Sequence, residues 1–401
     1  MATKSRSILI AGAGISGLTA ALGLAGAGFR VEVFEQAAKL ETIGAGLQIS
    51  PNALSVLDEL GLTRRLMPLA VAPSAIRVMS ARSGREIASV PLGETAARRY
   101  GLPYLVLHRA DLLQSLASAC ADNPDITIRY GQSLEDFASH PNGVTGLIRR
   151  GAHMEELGGI AVVAADGVWS RLRQRHFRQP PAVYSGYTAW RAIIPANRLT
   201  GSQDLESTQL WLSPNAHAVT YPLRAGRALN IVVVVRTESN ARTWSEPGLT
   251  TELAEVLKGW HRSFRGLIDP HSSWTTWPLF AMPSTQRLVV GNAALIGDAA
   301  HAMLPFAAQG AAMGIEDAAV LSAKLAPALH GGVEVDEALH AYEAQRLART
   351  RSAARLAQAN RWIYHLPFPL SLARNLTMTI AGGPRLLSRQ DWLYSWKPEA
   401  A

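Results

Sequence analysis

The stretch Ile8–Glu35, ILIAGAGISGLTAALGLAGAGFRVEVFE, decides the fold. Ile8 to Ala11 is an apolar run that enters a G-x-G-x-x-G turn at Gly12, Gly14 and Gly17. An alanine- and leucine-rich segment follows to about Gly28, and a second apolar run, Val31 to Phe34, ends in Glu35. Strand, turn, helix and strand in that order make a βαβ unit. Gly12 permits the tight turn, Gly14 lets backbone approach a pyrophosphate, and Gly17 lets the helix pack closely on the strand. The helix N-terminus then offers unpaired N–H groups and a partial positive charge to phosphates. Glu35 stands 18 residues after Gly17, where a carboxylate accepts hydrogen bonds from ribose hydroxyls. The unit binds a dinucleotide, and on these residues alone NAD, NADP and FAD all remain open.

At 401 residues the chain can bury a large core, and 48% hydrophobic against 17% charged residues is the balance of a folded protein. A single cysteine, Cys120, excludes a disulfide framework and a CxxC redox pair. The polar start MATKSRS is not a secretory signal, and no apolar run approaches the roughly 20 residues of a membrane span. A cytoplasmic protein is therefore expected. The net charge of +8 favours anionic ligands such as dinucleotides and aromatic acids. No Lys/Arg run is interleaved with aromatic residues, so no nucleic-acid partner is expected, and no metal is called for.

After Glu35, the small residues Gly44 to Gly46 form a turn whose backbone can pass against a flat cofactor, before a helix that starts near Pro51 with Ser50 as its cap. IRVMS and EIASV read as a hairpin turning at Ser83 and Gly84, and Arg109 stands where a strand passes into a helix. ITIRY, GVTGLIRR and GIAVVAADG read as strands; the last is continuously apolar, as in a buried parallel sheet, and ends in Asp166 and Gly167. An aspartate there faces the crevice at the carboxyl ends of the strands. From about 180 to 290 the pattern alternates (STQLWLS, HAVTYPL, ALNIVVVVR), which predicts an antiparallel sheet. The chain then returns to a buried strand ending in Gly297 and Asp298, and a helix begins near Gln309. The expected organisation is a discontinuous Rossmann-like α/β domain (1–179 and 287–330), an antiparallel-sheet substrate domain (180–286) and a helical region (331–401) packed on the body as a lid.

Four stretches together, GAGISG with Glu35, HRADL at Arg109, ADGVWSRLR at Asp166 and GDAAHAMLPFAAQG at 297–310, resemble the single-component FAD-dependent aromatic hydroxylases typified by para-hydroxybenzoate hydroxylase. YTAWRAIIP, the run from Asn215 to Val235, LPFAAQG and the terminal DWLY make the chain most similar to salicylate hydroxylase and 3-hydroxybenzoate 6-hydroxylase within that group. The resemblance implies FAD as cofactor, NADH or NADPH as co-substrate, O2, a phenolic aromatic acid and a homodimer. By position it implies that Gly12, Gly14, Ser16, Gly17, Glu35, Gln36, Gly46, Arg109, Asp166, Asp298, Pro305, Gly310 and Ala311 bind FAD. It also implies that His217, Tyr221 and Gln309 face the substrate.

Such hydroxylases attack the ring with the distal oxygen of a flavin C4a-hydroperoxide, so the phenol must be made nucleophilic. His217 with a near-neutral pKa would deprotonate it. The apolar loop Met303–Phe306 would keep the site dry, Trp190, Trp211 and Tyr221 would wall it, and Arg191 or Arg224 would pair with a carboxylate. Three other readings stay open: an N-heterocycle hydroxylase acting on a hydroxynicotinate- or urate-like ring, a non-catalytic dinucleotide-binding protein, and a plain NAD-dependent dehydrogenase.

Overall fold

Ser7–Ala11 (β1), Ile15–Gly26 (α1) and Arg30–Glu35 (β2) form the βαβ unit in the computed structural model, which describes residues 6–40, 45–199, 204–238, 245–268, 272–283 and 286–398. Gly44 lies outside the described residues. β1 pairs in parallel with β2 on one side and with Ala161–Ala164 on the other. The six-stranded sheet runs Val289–Val290, Ala293–Leu295, Ala161–Ala164, β1, β2, Ile126–Tyr130. Residues 8–11 of β1 and the neighbouring Ala161–Ala164 are apolar at every position because α1 and its neighbours cover one face and a three-stranded sheet, 132–159, covers the other, leaving Ile8, Leu9 and Ile10 with no exposed surface. Gly12 adopts φ +98°, and a Cβ on Gly17 would sit 2.0 Å from the Gly12 carbonyl oxygen, so both positions require glycine.

The second layer is an eight-stranded, mostly antiparallel sheet. It is not confined to 180–286, because the hairpin Ala75–Ser80/Glu86–Pro91 forms one edge, joined in parallel to Thr208–Leu212. Period-two alternation sorts its side chains between two cores. Ala216, Ala218, Ile231 and Val233 pack outward with Trp190, Trp211, Trp260 and Phe264. Tyr221 and Leu223 point inward with Met313 and Tyr104, and Val234 joins Leu304 and Phe306. Trp190 and Trp211 therefore belong to the outer core and do not wall the site. Arg224, at φ +52°, stands in an exposed turn.

Three helices, Val335–Tyr364, Leu370–Ser388 and Asp391–Tyr394, complete the chain. The first lies against Gly310–Leu325, and the second packs on Glu86–Pro91. Among the described residues no helix is long and apolar enough to cross a membrane.

Candidate active site

The loop from β1 into α1 leaves open space in front of Gly14, while Glu35 accepts hydrogen bonds from the Ala13 and Ala37 N–H groups (2.9 and 2.8 Å). Those bonds hold the carboxylate at the lip of the turn. Gln36 follows it, exposed. A Cβ on Gly297 or Gly314 would collide with the Ser16 hydroxyl, so glycine at both positions lets α1 pack closely on Gly310–Leu325.

Two aspartates end neighbouring strands of the parallel sheet. Asp166 accepts from the Arg171 N–H through Oδ2 (3.2 Å), while its buried Oδ1 has no partner among the described residues. Asp298 opens the short helix Asp298–His301 and is exposed. Burial raises its pKa, against the opposing charges of His301 and Arg109. Pro305 is exposed, and Gly310 and Ala311, in the first turn of their helix, are half-buried. Gly46 lies across from the Tyr221 ring, which a Cβ there would meet at 2.4 Å, and its N–H donates to Asn230 (2.8 Å).

The inner face of the eight-stranded sheet supplies the other wall. His217, 2% exposed, stands opposite Val234, with its ring 5.0 Å from Phe306 and 5.2 Å from Tyr364. Burial, and secondarily the charge of His365, pushes its pKa well below the ordinary imidazole value. The near-neutral base expected from the sequence is thus corrected: no counter-ion compensates the desolvation. Burial likewise raises the Tyr221 phenol. Arg191 stacks on Trp277 at 5.3 Å, its Nε lacks a partner among the described residues, and burial lowers its pKa.

Gln309 does not face this space through its side chain. It is fully buried, donates to Ser50 Oγ (3.0 Å) and accepts from Asn52 Nδ2 (3.3 Å). Ser50 is at the N-cap of Pro51–Glu59 but makes no capping bond with its side chain, because its hydroxyl serves Gln309 instead. The sequence also did not single out the contacts from the long helix, where Asn360 Nδ2 and the Tyr364 hydroxyl both donate to the Phe306 carbonyl (2.9 and 3.0 Å). Nothing local in NRWIYHLP marks those residues, since their partners lie more than fifty positions away.

A helix N-terminus opened by glycines, with two aspartates along the carboxyl edge of the sheet and a second sheet roofing the cavity, defines a dinucleotide-binding protein of the flavoprotein type. The chain belongs to the FAD-binding domain family, whose model matches residues 5–357. It is 34% identical over 391 residues to 3-hydroxybenzoate 6-hydroxylase 1 of Aquipseudomonas alcaligenes, covering 97% of each chain. It is 34% identical over 401 residues to 3-amino-4-hydroxybenzoate 2-monooxygenase PtnB3 of Streptomyces platensis, covering 99% of this chain and 98% of the other. A salicylate hydroxylase substrate complex superposes with a TM-score of 0.84 at 24% identity, over 98% and 96% of the two chains, a likeness of fold. FAD is the cofactor of the family, and the open helix terminus, the unpartnered Asp166 oxygen and the exposed Asp298 fit it. Among the described residues no group of three or more His, Cys, Asp or Glu could hold a metal ion.

Proposed function

We propose that this protein is an FAD-dependent monooxygenase that uses NAD(P)H and O2 to hydroxylate a phenolic aromatic acid of the hydroxybenzoate type. The observation that carries this reading is a buried imidazole and a half-buried, incompletely partnered guanidinium on one inner sheet face, His217 and Arg191. A phenol needs a base, and a carboxylate needs a cation. Substrates of the two relatives named above carry both groups.

In this reading Gly12, Gly14, Gly17 and the Ser16 backbone hold the pyrophosphate, Glu35 and Gln36 the ribose, and Arg109, Asp166 and Asp298 the remaining polar groups of FAD. Gly46, Pro305, Gly310 and Ala311 lie along its ring. FAD supplies the redox chemistry, passing electrons from NAD(P)H to O2 and one oxygen atom to the substrate. Arg191 anchors the substrate carboxylate. His217 takes the phenol proton, which raises the electron density of the ring at the positions ortho and para to the oxygen. Tyr221, kept protonated by burial, orients the phenolic oxygen by a hydrogen bond, and Leu304 and Phe306 exclude water. Gln309 acts at one remove by holding the turn into Gly310–Leu325 against Pro51–Glu59. We place the enzyme in the cytoplasm, as a homodimer.

The test is NADH and NADPH oxidation by the FAD-loaded protein, with product mass, in the presence of 3-hydroxybenzoate, salicylate and 6-hydroxynicotinate. Stimulation by a hydroxybenzoate with gain of one oxygen supports the reading. Stimulation by the pyridine alone moves the substrate to the N-heterocycles, and no stimulation by any of them overturns it.

A further inference from the structure

A proton taken from a phenol cannot rest on His217, because burial disfavours its imidazolium. One polar contact leads away from the ring: His217 Nδ1 lies 3.0 Å from Nε2 of His365. His365 directly follows the helix Val335–Tyr364 and is half-buried, so it joins the closed site to the surface. Its own Nδ1 lies 3.3 Å from the Tyr187 hydroxyl, and the Arg361 carbonyl, one turn back, favours the protonated ring.

A carbonyl can only accept, so the tautomer assigned to neutral His365 carries its proton on Nδ1, on the Arg361 side, and its lone pair on Nε2. That lone pair accepts from Nδ1–H of His217, which leaves the His217 lone pair on Nε2. Among the described residues no hydrogen bond is made to that nitrogen.

We infer that His365 is a positioning residue that holds His217 in the tautomer able to accept a phenol proton, and that it passes this proton to solvent, a role that rests on His217 being the base. In the transfer the phenol O–H breaks and an N–H forms at His217 Nε2. The Nδ1 proton of His217 moves to Nε2 of His365, and His365 releases its Nδ1 proton to water. One proton leaves and nothing is oxidised; the reverse sequence reprotonates the product and resets both rings.

The surroundings suit a conduit and not a store. Arg361, Arg374 and Arg236 face His365, Tyr187 is its neutral neighbour, and no carboxylate is among the charges acting on either histidine. Burial, opposed by the Arg361 carbonyl and reinforced by the three guanidiniums, lowers the His365 pKa to about 4.

The experiment uses the full-length FAD-loaded protein with 3-hydroxybenzoate. Phenolate formation is read by ultraviolet difference spectra across pH, and its rate by stopped flow. His365→Phe keeps a flat ring and removes both nitrogens. It should raise the pH at which the bound phenol ionises by about one unit, a tenfold loss, and slow ionisation about tenfold. His365→Gln presents an amide oxygen to His217 Nδ1–H but cannot relay, so it should restore the ionisation pH and leave the rate slow.

Parental ionisation and rate in His365→Phe overturn the inference, provided that His217→Phe abolishes ionisation. If His365→Gln restores nothing at unchanged FAD content, the effect is one of packing, and the inference is again overturned. Should His217→Phe ionise the phenol like the parent, His217 is not the base, and the inference falls with that reading.

Discussion

Two sets of polar side chains are built on opposite principles. In one, Glu316, Asp317 and Arg346 have no exposed side-chain surface, and every charge meets its opposite. Arg346 donates to Glu316 (2.6 Å) and Asp317 (2.8 Å), Arg349 grips Glu316 through two bonds (2.6 and 2.7 Å), and His301 and the Gly297 N–H reach Asp317 (2.6 and 2.9 Å). In the other, Asp298 is exposed, Arg191 half-buried and His217 buried, and each keeps a polar atom with no hydrogen-bond partner among the described residues. The contrast is legible in protonation. Burial pushes the Asp317 carboxyl up, yet the charges of His301 and Arg346 outweigh it and hold it at about 2. At Asp298 burial prevails and the pKa rises. A fully partnered cluster ties the long helix to the returning helix; an unpartnered one is addressed to a ligand.

That distinction breaks most readily at Arg346. Arg346→Met leaves two buried carboxylates short of a partner, and urea unfolding should show a loss of about 3–5 kcal/mol. A loss under about 1 kcal/mol would mean that the ionic cluster is not what holds the helices together. On the other side, His217→Gln should cost about 10²- to 10⁴-fold in hydroxylation, while stability changes by no more than about 1 kcal/mol. If turnover and unfolding moved together, the inner sheet face would be structural too.

Arg191→Met sharpens the contrast because it removes a half-buried cation of the opposite kind to Arg346. KM for a hydroxybenzoate should rise about 10- to 100-fold, from a charged hydrogen bond worth about 1.5–3 kcal/mol. The protein without ligand should be no less stable, as read by thermal unfolding; an unchanged KM would remove Arg191 from the site.

The smallest effect lies in acid stability. The Asp317 contribution is present above its unfolded value, about pH 4, and fades as pH falls toward about 2. Asp298 has the reverse sign: its contribution is present below about pH 4 and is lost as pH rises through its elevated folded value. Because the side chain is exposed, Asp298→Asn should raise the Tm of the FAD-free protein at pH 7 by no more than about 1 °C, with no gain at pH 3, and should weaken FAD binding. A lower Tm at neutral pH would show that the Asp298 carboxylate is satisfied within the protein.

Much of this was legible residue by residue where the determinants are near in sequence. The turn at Gly12, Gly14 and Gly17, the helix behind it and Glu35 lie within one supersecondary unit, so spacing alone places them. The acids Asp166 and Asp298 were legible too, because each ends a continuously apolar strand. Alternation predicted the strands of the second sheet but not which face meets the cofactor domain, and Trp190 and Trp211 proved to lie on the outer one. Register decides that, and the edge pairing of Thr208–Leu212 with Ala75–Ser80 spans more than a hundred residues. Gln309 was assigned to the substrate because its loop is, whereas its amide is consumed by Ser50 and Asn52.

The sequence by itself determined the dinucleotide cradle, the two-sheet plan and the family, since glycine backbone freedom and apolar periodicity act over a few neighbouring residues. Only the tertiary structure decided which polar groups are spent and which are free: it closed the ionic cluster around Asp317, left Arg191 short of a partner and brought His365 to His217 across 148 positions. Protonation follows from burial and from charges within a few ångströms, and those neighbours come from strands and helices that the chain brings together only when it folds.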